Sequence, residues 1–320
     1  MTRLSNQMRI RHLVSPDSSR KVNVGEWDWE QYHAHQCGAS TLTPTEVMQI
    51  LKRPDRVEAL QEEARVDGQT NARRMCVVIE NFFSEAECDK LVLQVKPLLN
   101  STKSQTLRNL VSPSDEDTIK LLSTIAEALD QRLRQLGTSV EDEEGQALMR
   151  ELRVAPEWSC RDYHMRNAER GGEDMEVRFS AMSDNVRGML YSAQSSPATG
   201  DEQNEGDFAT DPRNAHHDGR NRRPAGDSFL TALLYLNSEG KSLEGEGGEP
   251  LEGGHTLFLD DDGKPVAHAA PTKGSLLIFD HHLYHRGSAV RRGSKFCLRS
   301  DLLYMPCDAQ TGEPRWDLME

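Results

Sequence analysis

The sequence predicts an α+β chain, with helices in its first part and an all-β sandwich or barrel in its second. Up to Gly137 apolar residues recur at helical spacing between capping signals. After about residue 150 they gather into short β-rich runs separated by Gly, Pro and charged residues. The 320 residues suffice for one large core with helices packed outside it.

The first helix is expected after Thr43-Pro44-Thr45-Glu46, where Thr43 caps, Pro44 takes the first helical position and Glu46 completes a capping box. A second, short helix follows Pro54 with Val57, Leu60 and Ala64 inward. Residues Met75 to Ile79 read as a strand, and Ser84-Glu85-Ala86-Glu87 as another capping box opening a helix that lasts to Pro97. The most regular helix lies between Ser114 and Gly137, with Leu122, Ala126, Leu129, Leu133 and Leu136 spaced 4-3-4-3. In the second half the expected strands are Phe229–Asn237, His255–Leu259, Gly274–Asp280 and Lys295–Met305. Ser195–Asn214 and Ser238–Glu252 are polar loops too long for tight hairpins. The expected divisions are a helical extension over 1–75, a strand with supporting helices over 76–150, the β core over 151–306 and a tail over 307–320.

Charge and patterning exclude several classes. With 52 acidic against 38 basic residues the formal net charge is −14, so a general nucleic-acid binder is not expected. No run approaches the ~18–20 apolar residues of a membrane span, and the first residues lack the apolar segment of a secretory signal. The expectation is a soluble cytoplasmic protein without a membrane partner, with the nucleus also allowed. Six scattered cysteines with no CxxC pair indicate neither a disulfide scaffold nor a zinc ribbon.

Three elements of the β-rich half carry the chemistry: His216-His217-Asp218, then His285, then Lys295 ten positions later. On a strand, residues i and i+2 share a face, so His216 and Asp218 point together while His217 points away. A third ligand from another strand makes a two-His, one-carboxylate set with three open octahedral positions, an arrangement suited to non-haem Fe(II) oxygenases. His281 and His282 lie close to the distal position in sequence, but only His285 has Val290, Gly293 and Lys295 at the offsets H-x4-V-x2-G-x-K.

That stretch resembles the C-terminal signature of the prolyl 4-hydroxylase-like 2-oxoglutarate and Fe(II)-dependent dioxygenases. The order of the surrounding pieces is similar as well: Asn81-Phe82-Phe83-Ser84, the HxD, Thr231 to Asn237, Glu252 to Phe258 and Pro271 to Phe279. The resemblance is continuous over about residues 213–304 and patchy back to residue 76. It implies a double-stranded β-helix (jelly roll) core with the N-terminal helices in support. It also implies Fe(II) held by His216, Asp218 and His285, and 2-oxoglutarate as co-substrate, with ascorbate as an auxiliary reductant. Lys295 then pairs with the far carboxylate of 2-oxoglutarate, and Thr231 touches the co-substrate. Arg299, four residues along the same strand face, is placed to share the role of Lys295. The implied reaction couples decarboxylation of 2-oxoglutarate to hydroxylation or a related oxidation of a prolyl residue or a small molecule.

Departures from the pattern set limits. Phe296-Cys297 follows Lys295 where collagen-type enzymes usually have Trp, which argues against collagen as substrate. Tyr163 and Tyr191 are the candidates for the tyrosine of the co-substrate pocket, and Cys297 for a small apolar lining residue. The competing class is a cupin-like zinc or manganese hydrolase or isomerase with the same ligands, which has no need of Lys295. Finally, Arg213, Arg220, Arg222 and Arg223 near the HxD, with Arg286, Arg291 and Arg292 after the distal His, suggest a basic ring that draws in an anionic substrate. The alternative is that these are ordinary loop charges, some of them paired with Asp211, Asp227 or Asp301.

Overall fold

Period-two alternation in the two longest strands organises the molecule. A computed structural model describes residues 8–13, 75–98, 108–110, 116–138, 142–155, 157–172, 174–193, 215–242, 249–259, 263 and 265–319. In chain order the strands are β1 (Arg9–His12), β2 (Cys76–Glu80), β3 (Arg108–Leu110), β4 (Met175–Met182), β5 (Arg187–Ser192), β6 (Arg222–Arg223) and β7 (Gly226–Tyr235). They continue with β8 (Glu252–Gly253), β9 (Thr256–Leu259), β10 (Pro265–Ala269), β11 (Leu276–Asp280), β12 (His285–Gly287), β13 (Val290–Arg292) and β14 (Ser294–Asp308). The helices are α1 (Glu85–Val95), α2 (Glu116–Gln135), α3 (Glu143–Arg153) and α4 (Arg161–Glu169).

The large sheet runs β1-β2-β11-β7-β14-β5-β3, with β4 also paired to β14 and β6 to β7. A three-stranded sheet, β10-β9-β12, and a two-stranded one, β13-β8, complete the β structure, and every pairing is antiparallel. Strand β7 is buried along its whole length, so each of its faces has a partner layer. Leu230, Ala232 and Leu234, with Leu276, Ile278, Phe296 and Leu298, join a core that includes Leu122, Leu129 and Leu133 of α2 and Leu148 and Leu152 of α3. The alternate residues Leu233, Tyr235, Leu277, Phe279 and Cys297 pack in a second cluster with Phe258 of β9, Ala269 of β10 and Leu283. Helices therefore cover one face of the large sheet and the small sheet faces the other. The fold is α+β with a multi-stranded antiparallel sheet, and no sheet closes into a barrel among the described residues.

The strands and helix expected at Met75–Ile79, at Ser84–Pro97 and in the second half are present. The capping box forms as the sequence requires: Glu87 N–H donates to Ser84 Oγ at 3.3 Å and Ser84 N–H to Glu87 Oε2 at 2.7 Å. Glu87 also receives Arg132 Nη2 at 2.8 Å, while Arg132 Nη1 donates to the Phe82 carbonyl at 2.7 Å, so one arginine ties α2 to the start of α1. Helix α2 buries the 4-3-4-3 residues and ends before Gly137, whose φ of +67° suits glycine. Its expected start at Ser114, and the helices expected at Thr43 and Val57, lie outside the described residues.

Other features differ from the expectation. The described part of the N-terminal extension is a strand, β1, that lengthens the large sheet at β2. Helix α4 occupies a region expected to begin the β-rich half, and β14 continues to Asp308, past the expected core boundary at 306. No helix among the described residues is long and apolar enough to cross a membrane.

Gly274 shows how tightly the helix layer meets the sheet. Its φ is +82°, and a Cβ there would lie 2.1 Å from the Phe83 carbonyl oxygen. Phe83 N–H donates to the Gly274 carbonyl at 2.9 Å, so the two backbones cannot separate without losing that bond. Gly274→Ala is expected to lower stability by on the order of 2–4 kcal/mol, read as a lower urea midpoint at unchanged slope. An unchanged midpoint would contradict the close approach.

Candidate metal and co-substrate site

The HxD segment lies alongside the residues leading into β12. His216 and His285 exchange backbone N–H···O bonds, both at 3.0 Å, and Asp218 N–H donates to the His281 carbonyl at 2.9 Å. This extended pairing turns His216 and Asp218 to the same side. His217 faces away, its Nδ1 2.9 Å from the His282 carbonyl and its ring 5.1 Å from that of Tyr284. One ligand atom from each of His216, Asp218 and His285 lies within 4.8 Å of the others. His216 Nε2 is 3.7 Å from Asp218 Oδ1, and His285 Nε2 is 3.7 Å from Asp218 Oδ2. Asp218 and His285 are buried, whereas the His216 side chain is 52% exposed, so the cluster opens to solvent on the His216 side.

Local interactions fix the charge states that a metal needs. The Nδ1 of His285 lies 2.8 Å from the Leu283 carbonyl, which accepts a hydrogen bond from Nδ1–H and so leaves Nε2 with its lone pair toward Asp218. Burial pushes the His285 pKa down to about 3 despite the opposing pull of Asp218, so the imidazole is neutral near pH 7. For Asp218, burial alone would raise the pKa, but the Arg299 guanidinium 2.7 Å away holds the carboxyl well below the usual range. Two imidazoles and one ionised carboxylate converging from one side fit a divalent first-row metal with open positions opposite.

Lys295 lies deeper on the same face of the large sheet. It is 5% exposed, and its Nζ sits 5.6 Å from the Tyr191 ring centroid and 5.3 Å from that of Tyr235. Burial lowers its pKa. Among the described residues no carboxylate lies within ion-pair distance of it. Its stem passes under Gly254, where a Cβ would come 3.1 Å from Lys295 Cδ, so the Gly253-Gly254 pair is a close approach over the lysine. Cys297 is buried in the same apolar cluster as Tyr235 and Tyr191, in keeping with a small lining residue.

The structure sorts the remaining candidates. Thr231 and Arg299, expected at the co-substrate, are both drawn to Asp218. Thr231 Oγ1 donates to Oδ2 at 2.5 Å, and Arg299 Nη2 lies 2.7 Å from Oδ1. Of the two tyrosines, Tyr191 stands directly across from Lys295 in the β5–β14 register. Tyr163 belongs to the helix-side core and donates to Asp227 Oδ2 at 2.5 Å. His282 is engaged by Asp280 at 3.1 Å, and buried His281 lies 3.5 Å from Asp301 Oδ1, so neither joins the ligand cluster.

The arginines read as a ring around the site are mostly paired. Arg220 is held by Asp162 at 2.8 Å and Asp227 at 2.5 Å and lies between the rings of Tyr163 and Phe229. Arg222 meets Asp227 at 3.3 Å, Arg291 meets Glu252 at 3.2 Å and Arg292 meets Glu249 at 3.4 Å. Arg213 lies outside the described residues. Sequence reasoning missed Arg220 as the anchor of the HxD segment on α4, because its partners come from two separate elements, α4 and β7. Asp301, named from the sequence as a candidate partner for the basic residues, lies beside Arg299, as the i+2 spacing of those two on a buried strand allows.

Residues 209–300 match the family model described as the 2OG-Fe(II) oxygenase superfamily, a span containing all three clustered ligands, Lys295 and Arg299. No curated protein matches the chain. Among solved structures, the chain is similar to a Pseudomonas putida prolyl-4-hydroxylase at 15% identity, covering 72% of this chain and 94% of that one with a TM-score of 0.35. A viral collagen prolyl hydroxylase from Paramecium Bursaria Chlorella virus-1 in its 2OG complex gives 15% identity, 70% and 93% coverage and a TM-score of 0.33. HygX from Streptomyces hygroscopicus with nickel, 2-oxoglutarate and hygromycin B bound gives 10%, 71% and 82%, and 0.37.

Two predictions follow from the donor geometry. His285→Ala is expected to weaken Co(II) binding at least roughly a hundredfold, about 2.7 kcal/mol, while His282→Ala leaves it nearly intact in the same anaerobic titration. The opposite pattern would move the distal ligand to His282. The second concerns pH. A buried His285 with a pKa of about 3, against 6.5 when exposed, must stay neutral in the folded state while the unfolded chain takes up a proton. Its contribution to stability is therefore present above pH 6.5 and is lost as pH falls from there toward 3. The metal-free protein should lose stability over that window, and His285→Phe should show a shallower slope in urea midpoint against pH. Equal slopes would contradict a neutral, buried imidazole.

Proposed function

We propose that this chain, a 2OG/Fe(II) dioxygenase-like protein through residues 209–300, holds Fe(II) on His216, Asp218 and His285 and takes 2-oxoglutarate against Lys295. When bound there, Fe(II) would supply the redox chemistry that couples the reduction of dioxygen and the decarboxylation of 2-oxoglutarate to succinate and CO2 with hydroxylation of a substrate C–H bond, one oxygen atom going to succinate and the other to the substrate. The protein's own contribution is placement. His285 presents an unprotonated Nε2 because its Nδ1 is committed to Leu283. Asp218 stays ionised in a buried position because Arg299 and Thr231 compensate it. Lys295 binds and orients the far carboxylate of 2-oxoglutarate, and the wall of Tyr191, Tyr235 and Cys297 keeps water away from that ion pair.

The observation that carries the reading is Lys295, a buried ammonium with no carboxylate partner among the described residues. A desolvated cation of this kind is costly unless an anion completes it. A dicarboxylic acid with one end at the ligand cluster and the other at Lys295 does so. A zinc or manganese hydrolase built on the same ligands has no use for such a lysine. We read the two facing sheets as the double-stranded β-helix that the sequence resemblance implies, with the ligands at its edge.

The substrate is proposed as a class, either a prolyl residue of a protein or a small molecule. Its anionic character draws less support than the sequence suggested, because Arg220, Arg222, Arg291 and Arg292 each have a carboxylate partner.

Succinate release that requires both Fe(II) and 2-oxoglutarate tests the function. Lys295→Ala should raise the apparent 2-oxoglutarate constant at least roughly tenfold, about 1.4 kcal/mol or more, with iron affinity preserved. An unchanged constant in that variant would remove Lys295 from the co-substrate site.

A further inference from the structure

The inner face of β14 carries Lys295, Arg299 and Asp301, which the two-residue repeat of a strand aligns along one face. Their surroundings differ sharply. Lys295 lies among aromatic rings, whereas Arg299 lies between two buried carboxylates, with Nη2 2.7 Å from Asp218 Oδ1 and 3.7 Å from Asp301 Oδ1. The same nitrogen is 3.5 Å from Thr231 Oγ1, and that hydroxyl donates to the other Asp218 oxygen. Asp301 is fixed in turn by Asn221 Nδ2 at 3.0 Å and lies 3.5 Å from His281 Nε2. The loop closes through the His281 carbonyl, which accepts the Asp218 N–H at 2.9 Å.

We propose that Arg299 is a positioning residue for the Asp218 carboxylate and not a second anchor for the co-substrate. The inference rests on the iron-site reading above. Asp218 comes from an irregular segment, and a lone carboxylate there is free to turn about its side-chain bonds. Arg299 and Thr231 each hold one of its oxygens from the rigid large sheet, so the carboxylate has a single orientation before any metal arrives. Arg299 also lies between Asp218 and Asp301, offsetting the repulsion of two buried anions on one face. A guanidinium suits this place because it is permanently charged and its Nη2 lies near both carboxylates at once. Strand geometry separates the roles: four residues at ~3.3 Å each put the Arg299 and Lys295 backbones roughly 13 Å apart.

Anaerobic titration with Co(II), followed by its visible absorption, separates the two roles, with 2-oxoglutarate affinity then measured at saturating Co(II). Arg299→Ala is expected to weaken Co(II) binding about ten- to a hundredfold while the 2-oxoglutarate dissociation constant stays within about threefold. Lys295→Ala should show the reverse pattern. Arg299→Lys, which keeps the charge and loses the fork, should recover part of the Co(II) affinity. If Arg299→Ala fails to fold, Thr231→Val removes the other donor and is expected to weaken Co(II) binding roughly three- to tenfold with 2-oxoglutarate affinity unchanged. Co(II) affinity that is unchanged or tightened in the variant that folds overturns the inference, as does a tenfold loss of 2-oxoglutarate affinity alone. Failure of the unmodified protein to bind Co(II) overturns the iron-site reading together with it.

Discussion

A carboxylate buried in a sheet interior is the constraint on which the site depends. Asp218 is 5% exposed, and an isolated buried carboxylate would take up a proton before it met a metal. Arg299 and Thr231 on the large sheet, and two imidazoles beyond them, supply the compensation. The compensation comes from two layers. The large sheet provides the permanent cation and the hydroxyl, and the strip containing His216 and His285 provides the imidazoles.

The division of the large sheet into two faces makes this arrangement possible. Alternate residues of β7 and β14 commit to the helix layer, which anchors the sheet, and the others to the site. The segment that carries Asp218 has little regular structure of its own, and its position is secured from both ends. His216 pairs with His285 through the backbone, and Arg220 is locked into α4 and β7 by two carboxylates and two aromatic rings. A loop held in this way keeps its ligands in register with β12 and β14 without a metal having to organise them.

Much of this was legible in the sequence where local spacing decides the outcome. The 4-3-4-3 row of α2, the capping box at Ser84, the apolar runs of β7, β11 and β14, and the choice of His285 over His281 and His282 all depend on offsets of a few residues. Helix α4 was not legible because it is short and polar, whereas α3 does carry an apolar period, with Gly145, Leu148 and Leu152 on one buried face. The strand at Arg9–His12 has no signal beyond its pairing with β2. The sequence placed Arg299 on the same face as Lys295 but gave no means of knowing that Asp218, eighty-one positions earlier, would meet it. Asp227 was a candidate partner for the arginines, but the convergence of Asp162, Tyr163, Asp227 and Phe229 on Arg220 exists only in the folded chain. Charge counting along the chain could not decide between a basic ring and paired loop charges, because the carboxylates that meet Arg220, Arg222, Arg291 and Arg292 are set by the fold.

The central claim is that the three-ligand cluster and Lys295 form one site for Fe(II) and a chelating 2-oxo acid. The most direct measurement is anaerobic addition of Fe(II) and 2-oxoglutarate to the metal-free protein while the visible absorption is followed. The account predicts a weak charge-transfer band that needs both components and saturates at one Fe(II) per chain. Tight Fe(II) binding with no such band at any 2-oxoglutarate concentration would contradict it.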